Sequence, residues 1–181
     1  MKFVKEKTGL YKLEGKGIPE TYLMHSEPSQ QILLHPEIAG KELKELAIKA
    51  NAEFIKKAYP ICLKGKRIDK ICELVLMCGG NYYGTREAFE NEFNASLRQA
   101  FIGVKRYQED SKWKAAIGYS NFEALPDDAT VIIADTIATG STLKEAIVEL
   151  GRQAEKKNYN LDSIIVYTLA VRQETQVHYL T

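Results

Sequence analysis

Asp135 stands at the end of the apolar run Val131-Ile-Ile-Ala134 and is followed by Thr136-Ile-Ala-Thr-Gly-Ser-Thr142, a stretch dominated by small and hydroxylated residues. An acid at a strand end, with a nearly bare backbone just beyond it, asks for a ligand with both hydroxyls and an anion. In an open α/β sheet, ligands gather beyond the carboxyl ends of the strands, where a helix N-terminus offers N–H groups and the positive end of its dipole. Gly140 lets the backbone approach an anion closely, and Thr139, Ser141 and Thr142 add hydroxyl donors without bulk. Asp135 would repel that anion, so it should serve sugar hydroxyls or a magnesium ion. A sugar phosphate satisfies both demands. The same residue types also build ordinary strand-turn-helix connections, so Gly140 alone decides nothing. No glycine precedes a Gly-Lys-Ser/Thr at P-loop spacing, and the dinucleotide fingerprint G-x-G-x-x-G is absent from this stretch.

The elements that must position these residues alternate between strand and helix patterns, which predicts an α/β fold with an open, mainly parallel, twisted sheet flanked by helices. Val131–Ala134 is a central strand by composition, announced by the turn Pro126-Asp127-Asp128. Thr142-Leu-Lys-Glu145 has the form of a capping box, so a helix is expected to start there and to turn Leu143, Ala146, Ile147 and Leu150 inward. Ile164–Val171 supplies the next strand. Upstream, Ile71-Cys-Glu-Leu-Val-Leu-Met77 is continuous enough for a buried parallel strand, ending in Cys78-Gly79-Gly80-Asn81. Thr85 is the expected N-cap of a following helix with Phe89, Phe93 and Leu97 on one face. Phe101–Val104 reads as a short strand, residues 105–117 as a long loop or an extended hairpin around Trp113, and Tyr119–Phe122 as its returning arm.

Before these, Leu43, Leu46, Ala47, Ala50, Phe54 and Ile55 recur at helical spacing until Pro60 stops the run. Residues 1–36 carry short strand-like pieces, Glu20-Thr-Tyr-Leu-Met24 and Gln31-Ile-Leu-Leu34, and predict a peripheral layer. The 181 residues suit one domain, with 1–36 as a hood-like segment and 37–181 as the core. With 25 Lys+Arg against 24 Asp+Glu, the net charge of +1 leaves no basic field for nucleic acid or an anionic membrane. No run approaches membrane-spanning length and the first residues lack the apolar core of a secretory signal, so a cytoplasmic location is the expectation. The odd set Cys62, Cys72 and Cys78 lacks zinc spacing, and the last two read as buried thiols. His25, His35 and His178 form no nucleophile or metal array.

The stretch Val131–Thr142 resembles the phosphoribosyl diphosphate (PRPP) motif of type I phosphoribosyltransferases, in which apolar residues and an acid are followed by small residues ending Thr-Gly-Ser-Thr. Within that family, Asp135-x-x-Ala138-Thr139-Gly140 is most similar to the Asp-Pro-Met-Leu-Ala-Thr-Gly of uracil phosphoribosyltransferases. Ile102-Gly-Val-Lys-Arg106, with acidic residues after it and Leu125-Pro126 further on, is similar to the Ile-Gly-x-Tyr-Arg-Asp-Glu segment of the same enzymes. The likeness covers roughly residues 70–171.

The resemblance implies that Asp135 binds the ribose hydroxyls of PRPP, with Thr136 among the binding residues, and that Ala138, Thr139, Gly140, Ser141 and Thr142 cradle its 5-phosphate. It places the pyrophosphate loop at Cys78, Gly79, Gly80 and Asn81, and puts Arg106, with Lys105, in a mobile loop that touches the diphosphate. The implied reaction displaces magnesium-bound diphosphate from ribose C1 by a nucleobase nitrogen. That chemistry asks for orientation and charge neutralisation more than for acid/base groups. The implied partners are PRPP, Mg2+ and a nucleobase, in a homo-oligomer, a dimer first, with the Phe89/Phe93 helix as an interface candidate. This chain departs from the pattern at Thr136, where many members have a second acid, and in Cys78–Asn81, which lacks the arginine of the uracil enzymes. The alternative left open is a non-catalytic regulatory protein that binds PRPP or a nucleotide. No Gly-Asp-Ala-Gly-type segment follows Val171 in the sequence read, so altered, weak or absent uracil turnover is the expectation, with Tyr22 and His25 as candidates for a replacement hood.

Overall fold

A computed structural model describes residues 2–16, 19–77, 84–110, 112–137 and 140–170. Five strands form the main sheet: β4 (Ile71–Leu76), β5 (Arg98–Glu109), β6 (Lys112–Asn121), β7 (Ala129–Ala134) and β8 (Leu161–Tyr167), in the order β6-β5-β4-β7-β8. β5, β4, β7 and β8 run parallel and β6 is antiparallel to β5, so the sheet is mixed and mostly parallel. Every residue of β4 and of β7 is buried, as near-continuous apolar strands in the middle of a two-faced sheet must be.

Two cores follow from the strand alternation. On one face Leu74, Ile102, Val131 and Ile133 pack against Leu143, Ala146 and Leu150 of α4 (Ser141–Lys157). On the other, Ile132, Ala134 and Tyr167 meet Phe54 and Ile55 of α2 (Gly40–Ala58) and Phe89 of α3 (Thr85–Phe93). The Phe54 and Tyr167 rings stack with centroids 4.3 Å apart. Pro60 does end α2, but one π-turn, Tyr59–Leu63, follows before the chain straightens.

The N-terminal layer is a separate antiparallel sheet of β1 (Lys2–Lys7), β2 (Leu10–Glu14) and β3 (Thr21–Met24), followed by α1 (Glu27–Leu34). The strand expected at Gln31–Leu34 is therefore a helix. Ser26 caps it by accepting from the Ser29 amide at 3.3 Å, and Pro28 sits in its first turn, so local start signals outweigh the short apolar run. Lys57 joins the layer to α2 by donating to the His25 carbonyl at 2.8 Å.

Other boundaries moved for identifiable reasons. Thr85 does not cap α3; Gly84, at φ 63°, does, and Thr85 is the first helical residue. α4 likewise starts one residue before the expected capping box, at Ser141, with Gly140 as its N-cap. Leu97 lies beyond α3 but is still buried, and Phe89 is fully buried in the core, which withdraws it from any interface. The residues from 105 onward are the extended hairpin β5–β6, paired from Phe101/Asn121 out to Glu109/Lys112, with no loop before Asp110. Cys72 is buried, as expected, and Cys62 is half-buried; Cys78 and His178 lie outside the described residues, as do Val171 and the side chain of Trp113. Among the described residues no helix is long and apolar enough to cross a membrane.

Gly84 carries a measurable prediction. A Cβ built there would fall 2.6 Å from Cγ1 of Ile48 on α2, in a left-handed conformation. Gly84→Ala should lower stability by roughly 2–4 kcal/mol, combining left-handed strain with overpacking. Denaturant unfolding checks this; an unchanged midpoint would mean that α2 and α3 are not docked this closely.

Candidate active site

β7 delivers Asp135 to the carboxyl edge of the sheet next to its centre. The Asp135 amide donates to the Tyr167 carbonyl at 3.1 Å and the Ile137 amide to the Ala170 carbonyl at 3.1 Å, so the chain stays tied to β8 as it leaves the strand. Asp135 is only 8% exposed. Burial pushes its carboxyl above the ordinary aspartate range, while the Thr136 amide and the positive charge of Arg106 pull it back down.

Arg106 comes from β5. On β5, Ala100, Ile102 and Val104 belong to the α4-side core, and Arg106 continues the alternation onto that face, where its charge reaches Asp135. Lys105 alternates to the opposite face. Both are exposed strand residues, paired with Ala115 and Ala116 of β6, and neither stands in a loop as the resemblance implied. Strand pairing gives Arg106 a fixed base from which to meet a ligand.

The backbone turns into α4 at Gly140, with φ 73° and ψ −2°. A left-handed residue there needs glycine for its low cost. Glycine also brings no side chain to cap the helix, and the first turn of α4 holds no acid. The N-terminal end of α4 thus presents its positive dipole with no acid in its own first turn. Ser141 and Thr142 are half-buried at this turn and Thr136 is exposed. Ala138 and Thr139, together with Cys78, Gly79, Gly80 and Asn81, lie outside the described residues. His25 and His35 are exposed, and His35 contacts Glu37 at 3.0 Å; Tyr22 is half-buried and donates to Glu20 at 2.6 Å.

One polar group escaped the sequence reading. Glu73, in the middle of β4, is 3% exposed, and an acid inside an otherwise apolar run was its only sequence signal.

The fold that carries these residues is similar to that of solved phosphoribosyltransferases, a likeness that shows the fold alone. A hypoxanthine phosphoribosyltransferase from Trypanosoma cruzi, a mutant in a ternary substrates complex, is 21% identical with a TM-score of 0.51, over 74% of this chain and 70% of that one. The glutamic acid mutant from an analysis of an invariant aspartic acid in HPRTs is 20% identical with a TM-score of 0.52, over 74% and 70%. No protein-family model and no curated protein matches the sequence.

Proposed function

We propose that this chain is a phosphoribosyltransferase that moves the ribose 5-phosphate group of PRPP to a nucleobase and releases diphosphate. The observation that carries the reading is the buried carboxyl of Asp135 at the end of β7 followed by the left-handed Gly140 turn into α4, with the positive charge of Arg106 acting on that carboxyl. In this reading Asp135 accepts hydrogen bonds from the ribose hydroxyls and holds the sugar in place. Thr136 to Thr142, including Ala138, Thr139 and Ser141, take the 5-phosphate against the start of α4. Arg106, with Lys105 and the Cys78–Asn81 connection, meets the diphosphate as charge moves onto it, the moment at which a preorganised cation contributes most.

Magnesium, when bound with PRPP, supplies further neutralisation of the diphosphate. Among the described residues no group of three or more His, Cys, Asp or Glu side chains could hold a metal. A hard cation with one neighbouring carboxylate fits this donor set if ligand oxygens supply the rest of its shell.

The reading takes the chain as one domain with residues 1–36 as the hood, acting in the cytoplasm as a dimer. Hypoxanthine is the base proposed first, because the Trypanosoma cruzi neighbour is named for it. Uracil, suggested by local motif likeness, is its competitor. A panel of hypoxanthine, guanine, xanthine, adenine, uracil and orotate, assayed with PRPP and magnesium for diphosphate release, tests both the activity and the base. The expected result is turnover of hypoxanthine, with uracil weak or inactive. PRPP binding without diphosphate release for any base would replace the enzyme with the regulatory PRPP-binding protein, and no PRPP binding would remove both.

A further inference from the structure

The chain leaves β7 and β8 side by side at the carboxyl edge of the sheet, and two backbone hydrogen bonds fasten the two exits together. The Asp135 amide donates to the Tyr167 carbonyl and the Ile137 amide to the Ala170 carbonyl, each at 3.1 Å. The spans between these ties are unequal. Two steps separate Asp135 from Ile137 and three separate Tyr167 from Ala170, so the β8 side carries one residue more than its partner and has to buckle, as a bulged strand does.

Thr168 sits inside that extra length. Its hydroxyl donates to the Ala170 carbonyl at 2.6 Å, two residues on, and so closes the buckle from within. A carbonyl oxygen has two lone pairs, and the Ala170 oxygen takes the Thr168 hydroxyl and the Ile137 amide together.

Apolar packing holds the flanks of this junction. Ile137 packs against the core that contains Leu143, and Leu169 against the one that contains Phe54 and Tyr167, on opposite faces of the sheet. Packing of this kind is non-directional and does not aim a carbonyl. Ala170 brings only a methyl group of its own. Ile137, which its carbonyl holds, is where the segment that begins at Asp135 runs on toward the Gly140 turn into α4.

We infer that Thr168 is a positioning residue for the connection from Asp135 to Gly140. By aiming the Ala170 carbonyl at the Ile137 amide, its hydroxyl sets where that connection leaves the sheet. The inference rests on the PRPP reading of the site, in which the same connection holds the ribose and the 5-phosphate. Thr168 acts through Ile137 and touches no ligand in this role. A displaced connection would lengthen the hydrogen bonds made to PRPP, and binding is sensitive to such misplacement.

The test compares Thr168→Val, which keeps the branched shape and loses the hydroxyl, with Thr168→Ser, which keeps the hydroxyl. Hydrogen exchange of the Ile137 amide, read by NMR in the ligand-free proteins, should be faster in the valine variant by roughly two- to tenfold, the equivalent of one ordinary hydrogen bond. It should return to the parental rate in the serine variant, while the Asp135 amide, tied to Tyr167 outside this span, keeps its rate in both. Calorimetric titration with PRPP and magnesium should show a Kd raised by about the same factor in the valine variant and restored in the serine variant. An unchanged Ile137 rate in the valine variant overturns the inference. So does a loss shared equally by the Asp135 amide, which marks general loosening, a serine variant that behaves like the valine one, or an unchanged PRPP affinity where the Ile137 amide has loosened. A parent that binds no PRPP overturns the reading of the site instead, and the exchange rates then still decide whether Thr168 fixes this connection.

Discussion

Gly140→Val is expected to remove all protection of this protein by PRPP and magnesium against thermal unfolding. At a PRPP concentration about a hundredfold above its dissociation constant, the parent should be stabilised by about 2.7 kcal/mol, and the variant by nothing measurable. Two physical effects combine. The backbone at Gly140 is left-handed, at φ 73°, where a side chain costs about 1–2 kcal/mol and a β-branched one more. A branched side chain at the entry to α4 also stands between the helix N–H groups and an anion. Intrinsic strain alone would lower the melting temperature in the absence of ligand. The shift on adding ligand separates strain from loss of the cradle, and a variant protected as well as the parent would place the phosphate elsewhere.

Asp135→Asn should weaken PRPP binding by roughly 10- to 100-fold, the range for losing hydrogen bonds to a charged acceptor. The melting temperature is expected to move in the opposite direction. Burial holds the Asp135 carboxyl above its ordinary range, so the parent loses stability as pH rises from about 3.9 through the folded-state value. Asparagine carries no such penalty, and the variant should be at least as stable as the parent at pH 7. Binding of PRPP by the parent should weaken as pH falls through the Asp135 transition, and that acid limb should be missing in the variant. Calorimetric titration across pH checks both statements. Unchanged affinity in a variant of normal melting temperature would take Asp135 out of the site.

The two variants separate the parts of the candidate site that were legible in different ways. Asp135 and Gly140 could be read from one local segment, because a buried strand, an acid and a glycine before a helical pattern are all consecutive in the chain. Arg106 was legible by type and by motif likeness, but its placement was not. The polar residues after Val104 carry no strong strand preference of their own, and their long antiparallel pairing with β6 is decided by a partner strand. The helix caps show the same limit. Thr85 and Thr142 are good caps by composition, yet glycine one or two residues earlier takes the position in each case, because the entering chain needs a left-handed turn.

The sequence by itself determined the alternation of strands and helices, the two fully buried strands β4 and β7, and the acid and glycine that frame the candidate cradle, since each is a property of neighbouring residues and their period. It also determined that α2 and α4 would present apolar faces. Only the tertiary structure decided that β4 lies between β5 and β7, that the charge of Arg106 acts on Asp135, that Thr85 and Asn51 meet beside the Ala47 carbonyl, and that Gln99 meets Glu73. Thr85 and Asn51 are 34 positions apart and Glu73 and Gln99 are 26 apart. A polar residue in an apolar run is satisfied only by a partner distant in the chain, and packing decides which partner that is.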